Sequence, residues 1–369
     1  MAERASVLVY GATGFTGRLI AAELSKQGVS FAIAGRPSVG LESLAAQHNV
    51  SAFAADLSEP KALSDAFSRA RVVIACAGPF VRTGPALLEA ALSARTHLLD
   101  LSGEPAHLLS SFERDAEVRA HDVAVVHSVG FDVVPAELLA RLTATTLGPL
   151  RSLELATGHT AGVASRGTLT SYATMATEAP RRGLAWVDSR FVDEKLGAHR
   201  RIVSFSAPLG DRAVASLASA EVALLPRSVH TPTFRHYVGA LAPAALVVAE
   251  QGLPTFSPQA LEKSLSHLEQ VGQLGPDAAA RAKNHFFLWC RAENATGDVR
   301  EMTMQGHDPY GLSAVTAVAC ARAAERDDFR KRGVLSPLQA FEAQPLLAVL
   351  AHLGTRWKSR VATDHMAPQ

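Results

Sequence analysis

The sequence predicts an α/β protein: a Rossmann-type doubly wound parallel sheet in its first third, then a second α+β region. Two observations carry this. Over the first 130 residues, short apolar, β-branched runs alternate with segments of helical length. The first run, in "SVLVYGATGFTGRLIAAEL", passes through a glycine turn straight into a helical pattern.

Each element follows in order. "SVLVY" is the first expected strand, and Phe15 to Gly28 the first helix. Strands are expected at Ser30 to Gly35, Val50 to Asp56, Arg71 to Gly78, Thr96 to Gly103 and Val123 to Gly130. The intervening helices are "GLESLAAQH", "EPKALSDAFSRA" with Pro60 in its first turn, "GPALLEAALSAR", and a segment from Ala106 to His121. Six strands linked by helices make right-handed βαβ units and a complete doubly wound domain. From Pro149 the texture changes. Strands are expected at "RSLELATGH", "RRIVSFSA" and "NHFFLWCRAEN", and a long helix over Gly311 to Arg326. The expected domains are 1–130, 131–308 and a helical tail, 309–369.

Composition narrows the function. With 369 residues the chain can bury a real core, and two domains are the natural expectation. Apolar residues are 48% and charged residues 19%, with a formal charge of +1. That balance speaks against nucleic-acid binding or a polybasic membrane patch. Cys76, Cys290 and Cys320 are far apart and form no metal-type pair, which fits a reducing cytoplasm. The first strand begins too early to leave room for a signal peptide. "YVGALAPAALVVAE" (Tyr237 to Glu250) is too short to span a bilayer, so no transmembrane segment is expected. It reads as a buried element or pocket wall, with a membrane-surface contact as the alternative.

The glycines have separate tasks. Gly11 turns the chain sharply off the strand, Gly14 leaves room for a pyrophosphate, and Gly17 lets the helix pack closely. Ala12, Thr13, Phe15 and Thr16 complete the turn, whose helix N–H groups face the phosphates. The spacing is G-x-x-G-x-x-G, so the flanking strand and helix carry the assignment. The second strand ends in "AGRP". Arg36 stands where an NAD site usually has a carboxylate, and it suits the 2′-phosphate of NADP. Asp56 ends the third strand, toward the adenine. Cys76, Ala77, Gly78, Pro79 and Phe80 end the fourth, along the nicotinamide half. Cys76 has no basic partner beside it and reads as a small core residue.

These motifs carry a resemblance. "GATGFTG", "AGR", "CAGPF…GPALLEAALSARTHLLDLSGE" and "SVGFDVVPAEL" resemble the saccharopine dehydrogenase-like oxidoreductases, most of all "THLLDLSGEP". "SRGTLTS" and "HDPYG" are similar to later family motifs, and the nearest subgroup is the trans-acting enoyl reductases. The resemblance implies an NADP-binding domain, an inserted catalytic domain, and a C-terminal helix returning to the first domain. It also implies that Gly130 and Phe131, in the "HSVGFDVVPAEL" crossover, line the nicotinamide pocket. Val129, Val133, Ala136 and Glu137 depart from the subgroup's "CGFDSVPSD" and make that pocket less polar.

Hydride chemistry asks the protein for geometry and a proton. Asp132 and Tyr172 are the candidate donors, with a turn carboxylate and a structural hydroxyl as the alternatives. Thr168 and Ser171 are candidates for holding a substrate carbonyl, or for capping a helix. His159 and His307 read as structural or surface residues. Glu104 either orients the cofactor loop or meets a helix dipole. No H-E-x-x-H or paired CxxC occurs, so no metal is expected, and no G-x-S-x-G elbow points to a hydrolase. The leading expectation is an NADPH-dependent reductase of an enoyl group on an apolar small molecule, free or carrier-bound. Imine or ketone reduction and a non-catalytic NADP-binding protein stay open. Arg166, Arg181, Arg182 and Arg190 show no spacing suited to clamping a polycarboxylate. A homodimer is compatible with the sequence.

Overall fold

The computed structural model describes residues 5–161, 164–178, 183–195, 197–239, 247–250, 253–256, 262–263, 266–267, 270 and 274–360. They divide into two compact units, 1–131 with 310–342, and 132–309 with 343–369.

In the first unit the elements run β1 (Ala5–Tyr10), α1 (Phe15–Lys26), β2 (Phe31–Gly35), α2 (Val39–His48), β3 (Ala52–Ala54), α3 (Pro60–Phe67), β4 (Ala70–Ala75), α4 (Phe80–Ala94), β5 (His97–Asp100), α5 (Pro105–Glu113), α6 (Asp115–Ala120) and β6 (Ala124–Val126). Their strands form a parallel sheet in the order β6-β5-β4-β1-β2-β3. A seventh strand, Gly333–Leu335, pairs parallel with β6 at the other edge. Val7, Leu8, Val9, Val72, Val73 and Ile74 are fully buried, as expected of strands covered on both faces. Leu63, Phe67, Leu87, Leu88 and Ala91 from α3 and α4 close one side of the core.

Other details also differ from the sequence expectation. The helix expected at Ala106 to His121 is two helices, broken at Arg114. Arg114 leaves helical geometry, and its guanidinium pairs with Glu89 and Glu117. α4 starts at Phe80 rather than Gly84, because a carboxylate from elsewhere satisfies its first N–H groups. The tail also divides: residues 310–342 group with the first unit and the described residues 343–360 with the second. Tail strand Arg356–Arg360 is tied there by pairing with Val299–His307.

The second unit holds α7 (Val134–Ala144), β7 (Leu150–His159), α8 (Arg166–Glu178), β8 (Gly183–Val187), β9 (Arg190–Glu194), β10 (Arg200–Ser204), β11 (Asp211–Ser216), α9 (Ala220–Ser228) and β12 (Phe234–Gly239). β7 lies at the centre of a nine-stranded mixed sheet, parallel to β12 and antiparallel to His285–Asn294. The latter forms a hairpin with Val299–His307, a strand that the sequence pattern does not mark. The hairpin turn is held by the Asn294 side chain, which accepts from the N–H groups of Thr296 and Asp298. α7 packs on this hairpin, and α9 on β8 and β12.

Candidate functional site

The glycine turn sits at the carboxyl end of β1. Gly11 has φ of 77°, and its N–H donates to the Ala34 carbonyl at 2.9 Å. A Cβ on Gly11 would come within 3.0 Å of Ala77. One on Gly17 would lie 2.5 Å from the Gly11 oxygen and 2.8 Å from the Ala12 Cα, so only glycine lets α1 approach the turn. A Cβ on Gly14 would meet only the Gly11 oxygen, at 3.2 Å, and nothing else within 4 Å. The turn is therefore tight on its inner side and open outside Gly14, which is the shape a diphosphate needs. Ala12 is buried, while Thr13, Phe15 and Thr16 are partly open. The Phe15 ring packs edge-on to Tyr310, centroids 5.0 Å apart.

Arg36 follows β2 and is exposed. Asp56 accepts from the N–H and hydroxyl of Ser58 at 2.9 and 2.7 Å. Those hydrogen bonds, with a smaller effect of Arg36, hold its carboxyl below the ordinary value. Tyr10 donates its hydroxyl to the Ala55 carbonyl at 3.1 Å, tying β1 to the segment that presents Asp56.

The loop after β4 is fixed from several sides. The Cys76 N–H donates to the Tyr10 carbonyl, the Gly78–Pro79 peptide is cis, and the Thr83 hydroxyl donates to the Ala77 carbonyl at 2.7 Å. Burial, with Asp100 adding to it, pushes the Cys76 thiol up, which makes it a poor nucleophile. Glu104 is 1% exposed and accepts from the Phe80 N–H at 2.9 Å and the Val81 N–H at 2.8 Å. It thus meets the dipole of α4, not of its own helix α5. Gly130 and Phe131 are pinned by the helix Pro309–Ala324. The Phe131 N–H donates to Ser313 Oγ at 2.9 Å, and a Cβ on Gly130 would come within 3.1 Å of that oxygen.

Behind this loop lies a buried cluster that the sequence reading does not single out. Asp100, at the end of β5, accepts from the N–H groups of Ser102 and Ser128 through Oδ1 at 3.0 and 2.9 Å. Its Oδ2 meets His107 Nε2 at 3.1 Å and His127 Nδ1 at 2.7 Å. Burial opposes ionisation, but the two imidazoles outweigh it and hold the Asp100 carboxyl well below the usual range. Three groups of metal-ligating type meet here without any patterned motif, and each facing nitrogen is engaged by the carboxylate. The signal was available: Asp100 and His127 both stand at carboxyl ends of strands, where ligands of such sheets bind.

In the second unit, Asp132 precedes α7 and reaches solvent. Dense surrounding protein, and to a lesser extent Glu221, push its carboxyl up to about 7. Burial also raises Glu221 to about 7, and lowers His236 to about 3. His236 Nδ1 lies 2.8 Å from Ser219 Oγ and 3.5 Å from Glu221 Oε2, while Nε2 lies 2.9 Å from Thr157 Oγ1. Glu221, His236 and Ser219 are likewise absent from the sequence reading. Ser165 Oγ accepts from the Thr168 N–H at 3.1 Å and lies 3.0 Å from the Thr168 hydroxyl, so Thr168 belongs to the cap of α8. Tyr172 and Ser171 are half-buried one turn further on. His159 is lowered to about 4 by burial, and His307 is exposed. Arg166 and Arg190 are exposed. Arg181, Arg182 and most of the apolar "GALAPAALVV" stretch lie outside the described residues.

A parallel sheet with a glycine turn at the end of its first strand defines a dinucleotide-binding domain. Residues 7–127 match the family model of the saccharopine dehydrogenase NADP binding domain, and the cofactor is NADP. A trans-acting enoyl reductase of Mycobacterium leprae is 34% identical over 140 residues, 36% of this chain and 34% of that protein. A lipid droplet localized protein of Caenorhabditis elegans is 32% identical over 149 residues, 37% of this chain and 35% of that protein. The match thus spans about a third of these relatives. Apo saccharopine dehydrogenase (L-Glu forming) of Saccharomyces cerevisiae shares the fold across 97% of this chain and 100% of its own, with TM-score 0.63 and 14% identity. Among the described residues no helix is long and apolar enough to cross a membrane.

Proposed function

We propose that this chain is an NADPH-dependent reductase of an activated C=C bond, an enoyl group on a largely apolar small molecule. When bound, NADPH supplies the hydride. The observation that carries the proposal is the first unit's glycine turn, open beside Gly14 and followed by Arg36 where NAD sites usually hold a carboxylate. The trans-acting enoyl reductase names of the relatives support the acceptor class.

The second unit's charge arrangement favours an apolar acceptor. Arg201 pairs with Glu154, Arg235 with Glu194, Arg281 with Asp308 and Arg291 with Glu293. Guanidinium groups held by the protein's own carboxylates are poor clamps for a substrate with several carboxylates. Asp132 is assigned as proton donor. Its carboxyl, raised toward about 7, is protonated in a share of the molecules at neutral pH and can deliver that proton to the α-carbon. Tyr172 is the second candidate. Glu104 holds the loop of Cys76 to Phe80, and Ser313 holds the turn of Gly130 and Phe131, so both act as positioning residues.

The test is NADPH oxidation with a hydrophobic enoyl thioester beside a saccharopine-type imine. Turnover of the enoyl substrate supports the proposal. Turnover confined to the imine overturns it, and turnover of neither across a broad acceptor panel favours a non-catalytic NADP-binding role.

A further inference from the structure

At the corner between α1 and α2 stand two cations, Arg18 and Arg36, that have no carboxylate at ion-pair distance among the described residues. Arg18, exposed on the first turn of α1, donates through Nε to the Thr13 carbonyl at 3.0 Å. That bond turns its guanidinium toward the start of α2. A Cβ built on Gly40 would have Arg18 Nη2 and Ser38 Oγ each 3.9 Å away, and Thr13 Cγ2 at 4.0 Å. One small region at Gly40 thus gathers the glycine turn, the Arg18 guanidinium and the N-cap of α2, two residues beyond Arg36. Ser38 Oγ accepts from the Leu41 N–H at 3.2 Å, which leaves its hydroxyl proton to donate. Val39 is 79% exposed, so the corner is open to solvent.

The pairing habits of this unit make the corner unusual. Arg71 pairs with Asp327, Arg114 with Glu89, Arg119 with Asp115 and Arg332 with Asp122, all within 2.7 Å. Among the described residues, neither Arg18 nor Arg36 has a carboxylate at ion-pair distance. Asp56 feels Arg36, but its own hydrogen bonds go to Ser58. The Arg18 guanidinium beside the N-terminus of α2, two residues beyond Arg36 in the chain, makes the corner electropositive, and a phosphate monoester dianion fits its chemistry.

We propose that Arg18 is a second cation for the 2′-phosphate of NADP(H), acting with Arg36 and the Ser38 hydroxyl. Its Nε holds the glycine turn through Thr13 while its terminal nitrogens face the phosphate. One side chain thereby links the pyrophosphate loop to the group that distinguishes NADP from NAD. The inference rests on the NADP reading of the first unit.

The experiment titrates the full chain with NADPH, NADH and adenosine 2′,5′-bisphosphate, by calorimetry and by nicotinamide fluorescence where it applies. Wild type, Arg18→Ala, Arg18→Lys and Arg36→Ala are compared, with the fold checked by circular dichroism. Arg18→Ala is expected to weaken NADPH and the bisphosphate about tenfold or more while NADH changes less than about twofold. Arg18→Lys should recover part of the loss, because it keeps the charge. Equal weakening of NADPH and NADH would mean that Arg18 only supports the turn through Thr13, and would overturn the proposal. Unchanged NADPH affinity in Arg18→Ala would overturn it as well. Failure of the underlying reading looks different: wild type would then bind NADH as tightly as NADPH before any substitution.

Discussion

His127 and Asp100 meet 2.7 Å apart, Nδ1 to Oδ2, in the interior beneath the β4 loop, with His127 1% and Asp100 3% exposed. With His107 and two backbone N–H groups, the pair saturates one buried carboxylate. Replacing Asp100 by alanine should cost on the order of 3–5 kcal/mol, because it leaves two buried imidazoles unmatched. The sign of the pH dependence follows from the lowered carboxyl. The network's contribution is complete above the unfolded carboxylate value of 3.8 and drains away as pH falls below it. Urea denaturation at pH 7 and pH 3 checks this: the gap between wild type and Asp100→Ala should narrow in acid.

Glu104 closes the N-terminus of α4. Glu104→Gln keeps the size but replaces one acceptor oxygen by a donor, so either the Phe80 or the Val81 N–H loses its partner. About 1–3 kcal/mol of stability should go. The loop from Cys76 to Phe80 should loosen, seen as faster amide hydrogen exchange at Phe80 and Val81 than elsewhere in α4.

The glycines separate binding from folding. Gly14→Val puts a Cβ 3.2 Å from the Gly11 oxygen and bulk beside the space left for the diphosphate, so it should abolish NADPH binding with a smaller drop in melting temperature than Gly17→Ala. Gly17→Ala drives a methyl into the Gly11 carbonyl and the Ala12 backbone, and should lower both binding and stability. Thermal melts paired with NADPH titrations distinguish the two. Undiminished NADPH binding by Gly14→Val would contradict the phosphate-loop assignment.

Glu221 is buried and raised from 4.5 to about 7. Between those values the folded state holds more protons than the unfolded one, so stability falls as pH rises through that window. Glu221→Gln removes the cost. The variant should melt above wild type at pH 8, by up to on the order of 3 kcal/mol, and the difference should shrink toward pH 4. A gap of the same size at both pH values would place the effect in the contacts of Glu221 with Ser219 and His236.

The sequence showed most of the first unit because a parallel sheet writes each strand as a continuous apolar run, as in Val7 to Tyr10. Strand Gly333–Leu335 escaped notice because three residues carry no periodicity, and its place beside β6 depends on a tertiary return of the chain. Strand Val299–His307 is illegible in the sequence for another reason. In "VREMTMQGH" polar and charged residues interrupt the apolar ones, and its pairing with His285–Asn294 decides the structure. The cofactor loop could be read because glycine spacing has a local steric cause. Asp100, His107 and His127, like Glu221 and His236, come together only through folding. Glu104 stands out in the sequence, but the helix that it caps does not, because it reaches back 24 residues to α4.

Hydride delivery from NADPH to carbon in an enoyl acceptor is read out by deuterium tracing. The protein is incubated with NADPH deuterated at both C4 positions and a hydrophobic enoyl thioester, and the product is analysed by mass spectrometry and NMR. One deuterium is expected at the β-carbon and a solvent-derived proton at the α-carbon. Product without deuterium, or deuterium found only on a nitrogen-bearing carbon when an imine is supplied instead, would contradict it.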